Sequence, residues 1–281
     1  MNRTGKLNVS FATAALSKAA VLLLQLLAMP VAINQLGVAG FILYGVLVSI
    51  NSWLLLTTSG LSPALSIEIS GTQDISEIKK WTSSAYALFF GIGLSTFLLG
   101  TLLNLMVPIS YYLPDSAYEL FPDVMLSITI LLIAFLLQSF CIASDAVMSG
   151  LERQYITNLA SLVGCIFSFV AILVYDYPIS SPSDLITVII LPPIIARFLV
   201  GTFFTVNEGL LSVFSIESHN LRKLITRSLS FFKAGSLTNF LLHVFPIIVV
   251  GRFYPKEIAA QYVALNTLVV LLASFISIVT L

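Results

Sequence analysis

Charge is what this 281-residue chain has least of: Asp, Glu, Lys and Arg make up 9% of it, against roughly 25% in an ordinary soluble domain. With 58% apolar residues and a mean hydropathy of +1.02, there are too few polar side chains to cover a water-facing surface. That excludes a soluble fold and makes lipid the solvent. The 13 basic and 13 acidic residues cancel, whereas a nucleic-acid binder needs clustered Lys and Arg to neutralise phosphates. Cysteine is nearly absent; Cys141 and Cys165 lie inside apolar runs and read as small core residues. Histidine is equally scarce, His219 and His243 alone. No Gly-rich loop ends in Lys-Ser/Thr, no His pair has ligand spacing and no Gly-x-Ser-x-Gly elbow occurs, so ATPase, zinc-enzyme and serine-hydrolase chemistry have no residues to stand on. The expectation is no catalytic residue, no metal and no cofactor.

What the chain does have is long apolar runs. A hydrocarbon core about 30 Å thick requires about 20 apolar residues per helix. Eight such runs stand at 11–36, 41–67, 83–107, 124–147, 156–175, 185–206, 231–253 and 259–281. The predicted fold is all-α, a polytopic transmembrane bundle of about eight spans. Punctuation comes from Leu36-Gly37-Val38-Ala39-Gly40, from Pro108, Pro114 and Pro122, from the 176–184 stretch with Pro178 and Pro182, and from Tyr254-Pro255. The first run is longer than a signal-peptide core and more spans follow, so it is expected to stay attached.

Alternate loops carry unequal charge. One set holds Arg3, Lys6, Lys79, Lys80, Arg153, Arg222, Lys223 and Arg227; the other holds only Arg252 and Lys256. By the positive-inside rule the N-terminus and the first set face the cytoplasm, and Asp115 and Ser180 face outward. Tyr111, Tyr112, Tyr118, Tyr175 and Tyr177 cluster at the outer edge as an aromatic belt. The longest inward connection, 207–230, carries Arg222-Lys223 and Arg227 among apolar residues at helical spacing. It reads as an amphipathic linker on the inner leaflet, or simply as a positive-inside loop. Either way it separates a first six-helix lobe, 1–206, from the first two helices of a second, 231–281.

Six ionisable residues fall within the spans: Lys18, Glu68, Asp145, Arg197, Lys233 and His243. Such residues usually face a bundle interior or a wet cavity. Glu68 and Asp145 stand near helix ends, where an interfacial, structural-pairing or ion-coupling carboxylate fits. Lys233 is close enough to the inner surface to snorkel. Arg197 follows Leu185 by twelve residues, about 18 Å along a helix at 1.5 Å per residue, and so sits near mid-membrane. It has two readings: a cavity-facing cation, or half of a buried ion pair with Asp145 or Glu68. Pro192-Pro193 just upstream is expected to kink its helix. Arg197, Lys18, Lys233 and His243 together predict a cationic lumen suited to an anionic substrate, above all a phosphate, which Arg holds through a bidentate fork.

The 11–37 span with its Lys18, the turn 36–40 leading into Tyr44-Gly45-Val46, then Trp53 and Thr57-Thr58-Ser59-Gly60-Leu61-Ser62-Pro63-Ala64-Leu65, together with Ser149-Gly150-Leu151-Glu152-Arg153-Gln154-Tyr155, resemble Wzx-type polysaccharide flippases of the multidrug/oligosaccharidyl-lipid/polysaccharide exporter superfamily. The resemblance implies two six-helix lobes facing each other in a V. It also implies alternating access that moves a polyprenyl-diphosphate-linked oligosaccharide from the inner to the outer leaflet of a bacterial inner membrane. Membrane lipid and other polysaccharide-assembly membrane proteins are the implied partners. Because such proteins have twelve or more helices, the second lobe here is expected to be incomplete and the chain alone not to transport. The alternatives are a drug or cation antiporter of the same fold, which would use deep carboxylates, a membrane-embedded glycosyl-transfer or polymerising enzyme, and a non-transporting truncated product.

Overall fold

The computed structural model describes residues 3–58, 60–106, 123–173, 179–239 and 245–279. Every regular element among them is helical: α1 (Arg3–Leu56), α2 (Leu61–Ser70), α3 (Ile75–Met106), α4 (Val124–Gly150), α5 (Tyr155–Leu173), α6 (Pro182–Asn207), α7 (Ser218–Asn239), α8 (Phe245–Phe253) and α9 (Lys256–Val279), with a 3₁₀ turn at Val213–Ser215. Five helices among the described residues are long and apolar enough to cross a membrane: 8–52 within α1, then α3, α4, α5 and α6. This is a helical membrane protein.

The count of about eight spans is not reproduced, and the differences have local causes. The first two runs are one continuous helix except at Gly37, whose φ of 71° and ψ of −177° break it into two arms. Only glycine enters that region of φ at little cost. The second run is itself broken, because Thr57 and Thr58 turn the chain through bonds to the carbonyls of Leu54 and Leu55 before α2 begins. The seventh run falls on the end of α7, on 240–244, which lie outside the described residues, and on the nine-residue α8. The helix that follows the 208–217 connection runs through residue 230, where the sequence divides linker from second lobe. The tyrosine belt at 111, 112, 118, 175 and 177 lies outside the described residues, as does Asp115.

α6 shows how the sequence starts a helix. The Ser181 hydroxyl accepts the Asp184 N–H, while the Asp184 carboxylate accepts the Ser180 and Ser181 N–H groups. Pro182 occupies the first turn, where its missing N–H costs nothing. Two apolar clusters organise the bundle. At the Asp184 end, Leu24, Ala28, Ala32 and Leu36 of the first arm of α1 join Phe41, Leu43 and Leu47 of the second arm, with Leu131 of α4, Cys165 of α5 and Leu185 and Ile186 of α6. At the opposite end, Leu61, Leu65 and Ile69 of α2 join Ile78, Trp81 and Phe89 of α3 and Ala143 and Val147 of α4. Asn158, at the start of α5, donates to the Ser10 carbonyl and to the Thr13 hydroxyl at 3.4 Å each, so α1 and α5 start at the same end of the bundle.

Candidate functional site

The site is built at the seam of α4 and α6. Small residues let the helices close: Gly201 of α6 lies against Ser144 of α4, where a Cβ would collide with the serine side chain. Gly164 of α5 lies against the backbone of Pro192 and Pro193 in the same way. A proline pair inside α6 removes two amide donors, and glycine on the neighbouring helix allows close packing at that point. At the residue that follows the prolines the Cys141 thiol donates to the Ile194 carbonyl at 3.4 Å.

Arg197 projects from this stretch and its guanidinium pairs with Oδ2 of Asp145 on α4. Of the two partners the sequence allows, Asp145 is therefore the one used. The side chains are 22% and 20% exposed, so the pair is only partly covered by protein. Oδ1 of Asp145 has no partner among the described residues, and neither has Oε1 of Gln138, two turns earlier on α4. A guanidinium carries five donors, and the one pairing with Asp145 leaves donors for a second oxygen-rich group. Below the pair, the Tyr86 hydroxyl of α3 meets the Thr205 hydroxyl of α6 at 3.2 Å, both buried. This ties a third helix to the seam.

The other sequence candidates divide. Glu68, at the end of α2, does not approach Arg197 as a partner; it takes Lys223 at 3.0 Å and Arg227, both on α7. Lys18 is half-buried on the first arm of α1, beside the buried Ser17, with no ion-pair partner among the described residues. The Lys233 side chain and all of His243 lie outside the described residues. The structure thus brings Arg197 and Asp145 together. It does not, among the described residues, assemble the four cations into one cluster.

Sequence reading passed over a set of contacts between the 208–227 segment and the bundle. Lys80 pairs with Glu217 at 2.8 Å, Arg153 with Glu208 at 3.0 Å, and the Lys223 ammonium stands 5.1 Å from the Trp81 ring centre. The available signal was the four-residue spacing of Lys223 and Arg227, which places both on one helix face. No family model, curated protein or solved structure matches the chain.

Proposed function

We propose that this chain is a membrane transporter that flips a polyprenyl-diphosphate-linked oligosaccharide from the cytoplasmic to the outer leaflet of a bacterial inner membrane, for cell-surface polysaccharide synthesis. Arg197 carries the reading. An arginine at mid-helix, one-fifth exposed and held by a single carboxylate oxygen, costs a membrane protein stability unless the charge is used. Its fork matches a diphosphate, and Asp145 holds the site neutral until that anion arrives. Lys18, Lys233 and His243 are the further cations assigned to the path. Glu68 belongs to the cytoplasmic face, since it shares its end of the bundle with Lys80, Arg153 and Lys223, all of them in the basic loop set.

The resemblance of 11–65 and 149–155 to Wzx-type flippases supports the same conclusion. A cation antiporter would need a carboxylate free to take its cargo, and Asp145 already holds Arg197. In an export-competent protein carrying this lobe, Arg197→Ala is expected to abolish surface polysaccharide, and Arg197→Ala with Asp145→Ala, which strands no carboxylate, to abolish it at nearly unchanged protein level. Arg197→Lys is expected to keep a minor fraction, because an ammonium retains the charge and loses the fork. Full export by Arg197→Ala would refute the assignment.

A further inference from the structure

The Glu68 end of the bundle is covered by one segment. α6 ends at Asn207, and Gly209 turns the chain with φ of 67° while the Leu210 N–H returns to the Thr205 carbonyl. That is a glycine-terminated helix end, with open space where a Cβ would stand. From this joint the chain crosses α3. The Ser83 hydroxyl accepts the Ser212 N–H at 2.9 Å, and the Ser84 hydroxyl accepts the Glu217 N–H at 3.0 Å. Leu210 and, from α7, Leu224 enter the cluster around Trp81. The final attachment is Glu68, which takes Lys223 and Arg227 from successive turns of α7.

We propose that residues 208–227 form a releasable strap over this end, with Glu68 as its clasp. Three features distinguish a strap from a permanent brace. Its grip is mainly polar, with two deeply buried leucines against four ion pairs and two hydroxyl bonds. Every cation in those pairs is 38–44% exposed, so water takes its place readily on release, and exposed pairs contribute little each. Only Glu68, 11% exposed, is nearly covered; it stands at a helix end, where departure of the strap hydrates it. Gly209 supplies a joint at the start of the strap, while the residues that hold it on α2 and α3 lie within helices. Release uncovers Trp81 and the ends of α2 and α3, opening this end of the bundle. The inference does not depend on what the protein transports.

The test is a distance between spin labels at Ile75→Cys on α3 and Phe214→Cys on the strap. Both positions are exposed, 70% and 100%, and neither belongs to the grip. The protein is reconstituted whole in lipid nanodiscs with the buried Cys141 and Cys165 replaced by alanine. A docked and a longer distance are expected. Raising NaCl from about 0.1 M to about 1 M, which shortens the screening length from about 10 Å to about 3 Å, enlarges the longer population. Glu68→Gln, which removes two pairs, is expected to raise the released-to-docked ratio by about tenfold. Glu68→Lys combined with Lys223→Glu and Arg227→Glu restores the docked distance. A single distance unmoved by salt and by Glu68→Gln overturns the proposal in favour of a permanent brace. Should Glu68→Gln fail to fold, the salt series on the protein with native Glu68 decides alone, and an unmoved distance there overturns it equally.

Discussion

Arg197 and Asp145 hold each other in a place where neither would survive alone. Removing one member of a buried ion pair leaves an uncompensated charge, at up to about 3–5 kcal/mol, whereas removing both is often close to neutral. The side chains are 20–22% exposed, so the pair is not fully enclosed and the lower part of that range applies. Arg197→Ala is therefore expected to lower the thermal unfolding midpoint of the detergent-solubilised protein, and Arg197→Ala with Asp145→Ala to recover most of the loss. Equal destabilisation by the single and double variants would show that the two residues do not act as a pair. That Arg197 falls well inside its helix was readable from its distance to Leu185, and that it needs a carboxylate followed from the cost of burying charge. Which carboxylate it takes was not readable, because Asp145 and Glu68 both stand near helix ends and the choice depends on which helices pack together. The glycines at 164 and 201 that settle this packing look like any others in the sequence.

Helix boundaries follow the same division. The break at Gly37 was announced by two glycines within four residues, and the start of α6 by Ser181-Pro182 with Asp184. The break at 57–60 was hidden inside an apolar run, since the chain turns there through i→i−3 backbone bonds at Thr57, Thr58 and Leu61 that bring no fall in hydropathy. Asp74, at the start of α3, makes a prediction of its own. It accepts the Ser76 N–H at 2.9 Å and the Ser76 hydroxyl at 2.9 Å, and the backbone bond first, then the hydroxyl, hold its carboxyl below the ordinary range. A carboxyl with a lowered folded-state value stabilises above its unfolded value and loses that contribution as pH falls through the folded one. Amide exchange at Ser76 is expected to accelerate as pH is lowered through the acid range, after correction for intrinsic rates, and Asp74→Ala to remove the pH dependence. An unchanged profile in Asp74→Ala would contradict this cap.

For the whole molecule, composition alone placed the chain in lipid, because so few charged residues cannot clothe a soluble surface. Loop charge then predicts an orientation. Arg222 and Ser180 are both exposed and lie near opposite ends of the bundle. Labelling of single cysteines by an impermeant reagent in intact cells is expected at position 180 and not at 222; the reverse pattern would invert the topology. What composition could not supply is the strap, whose basic residues look like a positive-inside loop until Glu68 is seen across from Lys223 and Arg227, and Arg153 and Lys80 across from the strap's own Glu208 and Glu217.

The transport reading rests on Arg197 recognising an anionic lipid, and binding tests that most directly. The protein in nanodiscs would be titrated with a polyprenyl diphosphate, its uncharged polyprenol and a polyprenyl-diphosphate-linked oligosaccharide, with native Arg197 and with Arg197→Ala. Saturable binding of both diphosphates, none of the polyprenol, and loss of at least about tenfold in affinity in Arg197→Ala is the predicted result, since a bidentate charge-assisted contact is among the strongest single polar interactions available. Equal binding of the diphosphate and the polyprenol, or diphosphate affinity unchanged in Arg197→Ala, would contradict it.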